Sequence, residues 1–165
     1  MRKLAFGCLA LLVAMSAPAG ACQLAERGSA IRLKIPVEGR ILSGFGMRRH
    51  PILGTTKMHT GTDWGAEFGA PVRASAAGEV TKAGREGEYG NLVVITHGGG
   101  VETAYAHLSR IDVKEGDCVA QDAVLGGVGS TGLSSGVYVH FEVRRDSRFV
   151  DPIGAIGESN ETARP

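Results

Sequence analysis

Short runs rich in β-branched residues, closed off by glycine, recur about every ten residues: 70–74, 78–83, 91–97, 101–107, 124–128 and 137–143. That punctuation predicts an all-β chain of antiparallel hairpins joined by long Gly-rich loops. Twenty-five glycines among 165 residues, about twice the ordinary share, weigh against a mostly helical protein. Between two of the runs, His97-Gly98-Gly99-Gly100 predicts a hairpin turn with positive-φ positions.

The run 137–143 is the most informative. Alternation places Val137, Val139, Phe141 and Val143 on one face and Tyr138, His140 and Glu142 on the other. The first face is expected to pack a core. The second lines up a phenol, an imidazole and a carboxylate, as either a solvent face or the floor of a groove.

The two ends read differently from the middle. Met1-Arg2-Lys3, an apolar run to Met15 and Ala19-Gly20-Ala21 have the form of a signal peptide over 1–21, too short in its apolar part to span a bilayer. An arm (22–35), a domain (36–157) and a polar tail (158–165) follow. The formal charge of +1 becomes −1 once the first 21 residues are removed, which excludes the basic excess of a nucleic-acid binder. Export to the periplasm or beyond places Cys22 and Cys118 in an oxidising space, where they are a candidate disulfide. The rival reading treats Ala19-Gly20-Ala21-Cys22 as a lipobox, with Cys22 carrying a lipid anchor.

His59 and Asp63 are four residues apart. Fully extended, their Cα atoms would stand about 13 Å apart, too far to share one ion. A bend is required, and Gly61 between Thr60 and Thr62 is the residue able to supply it.

The order Gly44-Phe45-Gly46-x-Arg48-x-His50-Pro51, His59-x-Gly61-x-Asp63, Tyr105-Ala106-His107-Leu108-Ser109, Gly129-Ser130-Thr131-Gly132 and His140-Phe141-Glu142-Val143 closely resembles the lysostaphin-type zinc metallopeptidases, the LytM-like peptidoglycan endopeptidases. The likeness covers about residues 36 to 155. It implies an antiparallel β-sandwich and one zinc per chain held by His59, Asp63 and His140. Three protein ligands leave one tetrahedral position open, as a catalytic zinc requires. The resemblance makes His107 the catalytic base, places Arg48 and His50 in a loop that lines the substrate cleft, and implies hydrolysis of peptide cross-links in cell-wall peptidoglycan. With no appended domain for targeting a glycine bridge, family analogy points to cross-links between D-amino acids.

One position departs from the family pattern. The family reads His-x-His where this chain reads Tyr138-Val139-His140. A phenol can donate a hydrogen bond to a developing oxyanion but accepts protons poorly at neutral pH. Two readings follow: an enzyme with His107 as the only nearby base, or a relative that binds peptidoglycan or activates an amidase without cutting. Arg48 and His50 could equally serve local structure, and Glu142 could orient a metal ligand or be solvated.

Overall fold

A computed structural model of the chain describes Cys22, Leu24, Ala25, residues 30–49, Ile52 and residues 54–161. The expected signal segment, His50 and the last four residues of the tail lie outside the described residues. Thirteen strands and one helix follow in order: β1 (Arg40–Ser43), β2 (Gly46–Arg49), β3 (Thr56–His59), β4 (Thr62–Gly65), β5 (Pro71–Arg73), β6 (Gly78–Glu86), β7 (Gly90–Gly98), β8 (Val101–Leu108), β9 (Arg110–Ile111), β10 (Cys118–Val119), β11 (Val124–Gly127), β12 (Val139–Arg145), β13 (Arg148–Val150) and α1 (Pro152–Glu161). A 3-10 turn, Gly87–Tyr89, joins β6 to β7.

Eight strands form one antiparallel sheet in the order β1-β4-β12-β8-β7-β6-β10, with β13 extending the β12 edge beyond β4. Three more, β5-β11-β9, form a small sheet, and β2-β3 is a separate ribbon. Val72 and Leu125 of the small sheet share one buried cluster with Val80, Val93, Ile95, Tyr105, Phe141 and Val143 of the large one. The core therefore lies between two sheets, the expected sandwich. Each fully buried side chain of this kind contributes about 1.5–3 kcal/mol.

Val139, Phe141 and Val143 of β12 face that core. Val137, expected on the same face, is 40% exposed. β12 pairs with β4 only from Val139 onward, and Tyr138 is held instead by an isolated bridge to Gly129. The triple-glycine turn is confirmed, with φ of 78°, 59° and 81° at Gly98, Gly99 and Gly100.

The helix was not anticipated. Asp151 starts it: its Oδ1 accepts from the Ile153 amide at 3.0 Å, and Pro152 takes the first helical position. The helix runs on into the segment read as tail. No described helix is long and apolar enough to cross a membrane.

At the other end, Cys22 and Cys118 are joined in a disulfide with Cα atoms 5.3 Å apart. The Ala25 amide donates to the His97 carbonyl at 2.9 Å, so the arm is also bonded to the end of β7.

A candidate metal centre on the outer face of the large sheet

Residues of β12 that point away from the core build the site. Asp63 of β4 is the Cα partner of His140, which places carboxylate and imidazole side by side on one face. On the opposite flank, Ala106 and Ala104 of β8 are the partners of His140 and Glu142, and their small side chains leave room for the larger ones. His59 ends β3 and reaches the pair across the Thr60-Gly61 link. The bend falls where it was expected, but the need for glycine is close approach: a Cβ on Gly61 would sit 2.3 Å from the Phe141 carbonyl oxygen and 2.9 Å from the His140 ring.

Three donor atoms converge. His59 Nε2 lies 3.1 Å from both Asp63 Oδ1 and His140 Nδ1, and His140 Nδ1 lies 2.8 Å from Asp63 Oδ1. Each imidazole is oriented by its other nitrogen. His59 Nδ1 is 2.6 Å from the Gly44 carbonyl, which can only accept, so Nδ1 carries the proton and Nε2 presents its lone pair. His140 Nε2 faces Glu142 Oε1 at 3.2 Å.

Glu142 is fully buried. Burial opposes its ionisation, but hydrogen bonds from His140 and Thr60 and the charges of His140 and Arg144 bring it down to about 2. It also accepts from Thr60 Oγ1 at 2.6 Å, Tyr89 Oη at 3.0 Å and Arg144 Nη2 at 2.8 Å. An ionised carboxylate at His140 Nε2 keeps a proton there and turns Nδ1 toward Asp63, the carboxylate-histidine arrangement common behind metal ligands.

The donor set fits a divalent metal. Ligand bonds of about 2.0–2.1 Å in a tetrahedron separate donors by roughly 3.3 Å, close to the spacings found. Without an ion, burial disfavours the His140 cation, yet the two adjacent carboxylates outweigh it and hold its pKa up to about 9. Asp63 is desolvated too, but His140 and His59 hold it well below the usual carboxylate range. His59, Asp63 and His140 form the metal-capable group among the described residues.

A cleft of about 300 Å³ opens over these residues, lined also by Arg48, Lys57, Glu88, Tyr89, His107, Leu133 and Tyr138. His107 adopts a left-handed backbone, φ 63°, at the irregular end of β8. Its Nδ1 donates to the Thr131 carbonyl at 2.8 Å, which leaves the Nε2 lone pair free. Burial pushes this imidazole below its ordinary pKa, with the Thr131 carbonyl partly opposing the shift. The His107 ring stands 5.9 Å from that of His140 and meets the Tyr138 ring edge-on at 5.2 Å. Arg48 Nη2 reaches Asp63 Oδ2 at 3.3 Å.

The two Gly-rich segments 84–90 and 129–136, expected from the sequence to line a groove, border the cleft through Glu88, Tyr89 and Leu133 and lock together. The Leu133 amide donates to the Glu88 carbonyl at 2.8 Å, and a Cβ on Gly90 or Gly132, both at positive φ, would strike the opposing loop at 2.4 Å. Sequence reading left Glu142 open between two roles and missed Thr60, Tyr89 and Arg144 around it. Of these only Arg144 had a signal, the period-2 spacing on β12 that puts Glu142 and Arg144 on the His140 face.

A β-sandwich that sets two histidines and an aspartate around one point, beside a third histidine with a free nitrogen in an open cleft, has the architecture of a metallohydrolase. Residues 57–152 match Peptidase family M23, and the chain belongs to that family. It is 49% identical over 130 residues to the DD-carboxypeptidase/endopeptidase Mpg of Neisseria meningitidis, covering 79% of this chain and 30% of that protein. The chain thus spans about a third of the length of that relative. Among solved structures it is similar to a zinc-containing peptidase from Vibrio cholerae, with TM-score 0.69, 36% identity and coverage of 78% of this chain and 40% of that one. It is also similar to the catalytic domain of lysostaphin from Staphylococcus simulans, with TM-score 0.65, 30% identity and coverage of 72% and 92%.

Proposed function

We propose that this chain is an exported zinc metalloendopeptidase, one zinc per chain, that hydrolyses peptide cross-links of bacterial peptidoglycan in the periplasm or outside the cell. The observation that carries the reading is the triangle of His59, Asp63 and His140 donors, all within 3.1 Å of one another, facing a cleft shared with a free His107 nitrogen. Zinc bound there supplies Lewis acidity, polarising the scissile carbonyl and acidifying the attacking water. His107, kept neutral by burial, takes the proton from that water at Nε2 and passes it to the leaving amine. Tyr138 donates its hydroxyl to the developing oxyanion. Arg48 binds substrate from the cleft wall, with His50 assigned the same part. The name of the Neisseria relative supports a bond between D-residues as the target. Of the two fates for Cys22, we favour the disulfide, because a sulfur bonded to Cys118 cannot also carry a thioether lipid.

The test is digestion of purified sacculi by the zinc-loaded protein, followed by mass analysis of the released muropeptides. Chelator-sensitive release of cleaved cross-links is expected. Intact cross-links with one zinc bound per chain would overturn the reading in favour of a peptidoglycan-binding or amidase-activating domain, the alternative that Tyr138 keeps in view.

A further inference from the structure

Glu142 orients His140, and Glu142 must itself be held in place. Its Oε1 accepts from Thr60 Oγ1 at 2.6 Å, Tyr89 Oη at 3.0 Å and His140 Nε2 at 3.2 Å, while Arg144 holds the other oxygen. Protein N–H···O bonds run from about 2.7 to 3.2 Å. The His140 bond is therefore at the long end of the range, and the two shorter hydroxyl contacts decide where Oε1 lies. Thr60 belongs to the metal centre already, because it sits in the link between His59 and Asp63. Tyr89 does not. It comes from the 3-10 turn between β6 and β7, lines the cleft, and joins the cleft wall to the support of a metal ligand.

That turn is braced on both sides of Tyr89. The Gly90 amide donates back to the Gly87 carbonyl, the Leu133 amide to the Glu88 carbonyl at 2.8 Å, and the Asn91 amide to Thr131 Oγ1 at 3.0 Å. Thr131 also supplies the carbonyl that orients His107. The Tyr89 ring packs on Leu92 and on Ala104 and Ala106, the β8 partners of Glu142 and His140. Burial and the neighbouring Glu142 carboxylate push the phenol above its ordinary pKa, so it remains a donor at neutral pH.

We infer that Tyr89 is a positioning residue for the metal centre: its hydroxyl holds the Glu142 carboxylate against His140, so that the turn lining the cleft and the third ligand keep one fixed geometry. The inference rests on the metal-site reading of His59, Asp63 and His140. The Tyr89 ring centroid stands 6.2 Å from that of His140, and its hydroxyl acts on the ligand through Glu142. Because the same turn is bonded to the Thr131 segment, a shift of the turn would disturb the ligand and the base together.

Tyr89→Phe tests it, since it removes the hydroxyl and leaves the ring in the cleft wall. Zinc affinity is measured by competition with a chelating dye, solvent exchange of the His140 Nε2 proton by NMR on the metal-free chain, and cleavage on the zinc-saturated chain. The substitution should weaken zinc binding about tenfold, the low end for loss of a group behind a ligand. Exchange of the His140 proton should be severalfold faster. With zinc saturating, kcat should fall while KM holds, the mark of a group that does not bind the substrate. Unchanged zinc affinity, or weakened affinity with unchanged exchange, overturns the role of Tyr89. A raised KM at unchanged kcat would make the hydroxyl a substrate contact and overturn it as well. Faster exchange in a chain that binds no zinc even when unmodified would retain the hold on His140 and remove the metal reading, whereas unchanged affinity in a chain that still cleaves would do the reverse.

Discussion

His97 and His140 are both buried, both lie within strands of the large sheet, and both have hydrogen-bond partners on each ring nitrogen. The company they keep is opposite. His97 meets the Ala77 carbonyl and the Thr103 hydroxyl, each at 2.8 Å, in a neutral chain that continues to Tyr105 and the Ser75 amide. Burial then decides, and its pKa is pushed down. His140 sits between two carboxylates, and its pKa is pushed up. A histidine becomes a candidate ligand through the charge of its partners and through a ring nitrogen aimed at other donors, not through burial.

The comparison breaks most sharply under substitution. Asp63→Ala or His140→Ala should lose stoichiometric zinc, checked by metal analysis of the purified chain, and lower cleavage by at least about a thousandfold. His97→Ala should leave zinc content unchanged. Next in size, His107→Ala should reduce cleavage by about 10²–10⁴-fold with zinc retained, the range for removal of a general base. Retained activity would exclude His107 from proton transfer.

Stability should separate the two regions in the other direction. His97→Ala opens a buried hole and leaves Thr103 short of a partner, at an expected cost of about 2–3 kcal/mol in denaturant unfolding.

The remaining effects come from pH, and their signs differ. His140, with its pKa raised to about 9, contributes stability to the metal-free protein that is complete below about pH 6.5 and lost as pH rises through about 9. His97, with its pKa lowered, contributes above about pH 6.5 and loses that contribution as pH falls. Zinc must displace the His140 proton, so its apparent affinity should rise about tenfold per pH unit up to about pH 9 in calorimetric titration. A flat profile would mean that His140 is already neutral in the metal-free protein.

His59 and Asp63 were legible as a close-spaced pair, His140 joined them only through the family resemblance because it lies 77 residues beyond Asp63, and the alternation of β12 correctly set His140 and Glu142 against Val139 and Phe141. The positions of β1 to β4 were not legible as strands. Each is four residues long, and β1 to β3 are largely exposed, so the hydrophobic alternation that marked the longer strands is absent. The hub around Glu142 could not be read either, since Thr60 and Tyr89 reach it from loops more than fifty residues away in sequence. Val137 failed for a related reason: periodicity says which face a residue would take, but not where pairing begins.

The cystine fixes the start of the arm to β10, at the far end of the strand order from β4 and β12. Four steps of sheet separate β10 from β12, about 19 Å at ordinary interstrand spacing. Anything attached ahead of Cys22 would therefore be moored on the flank remote from the metal donors. A tether there would leave the mouth of the cleft unobstructed and free to sweep across an immobile polymer.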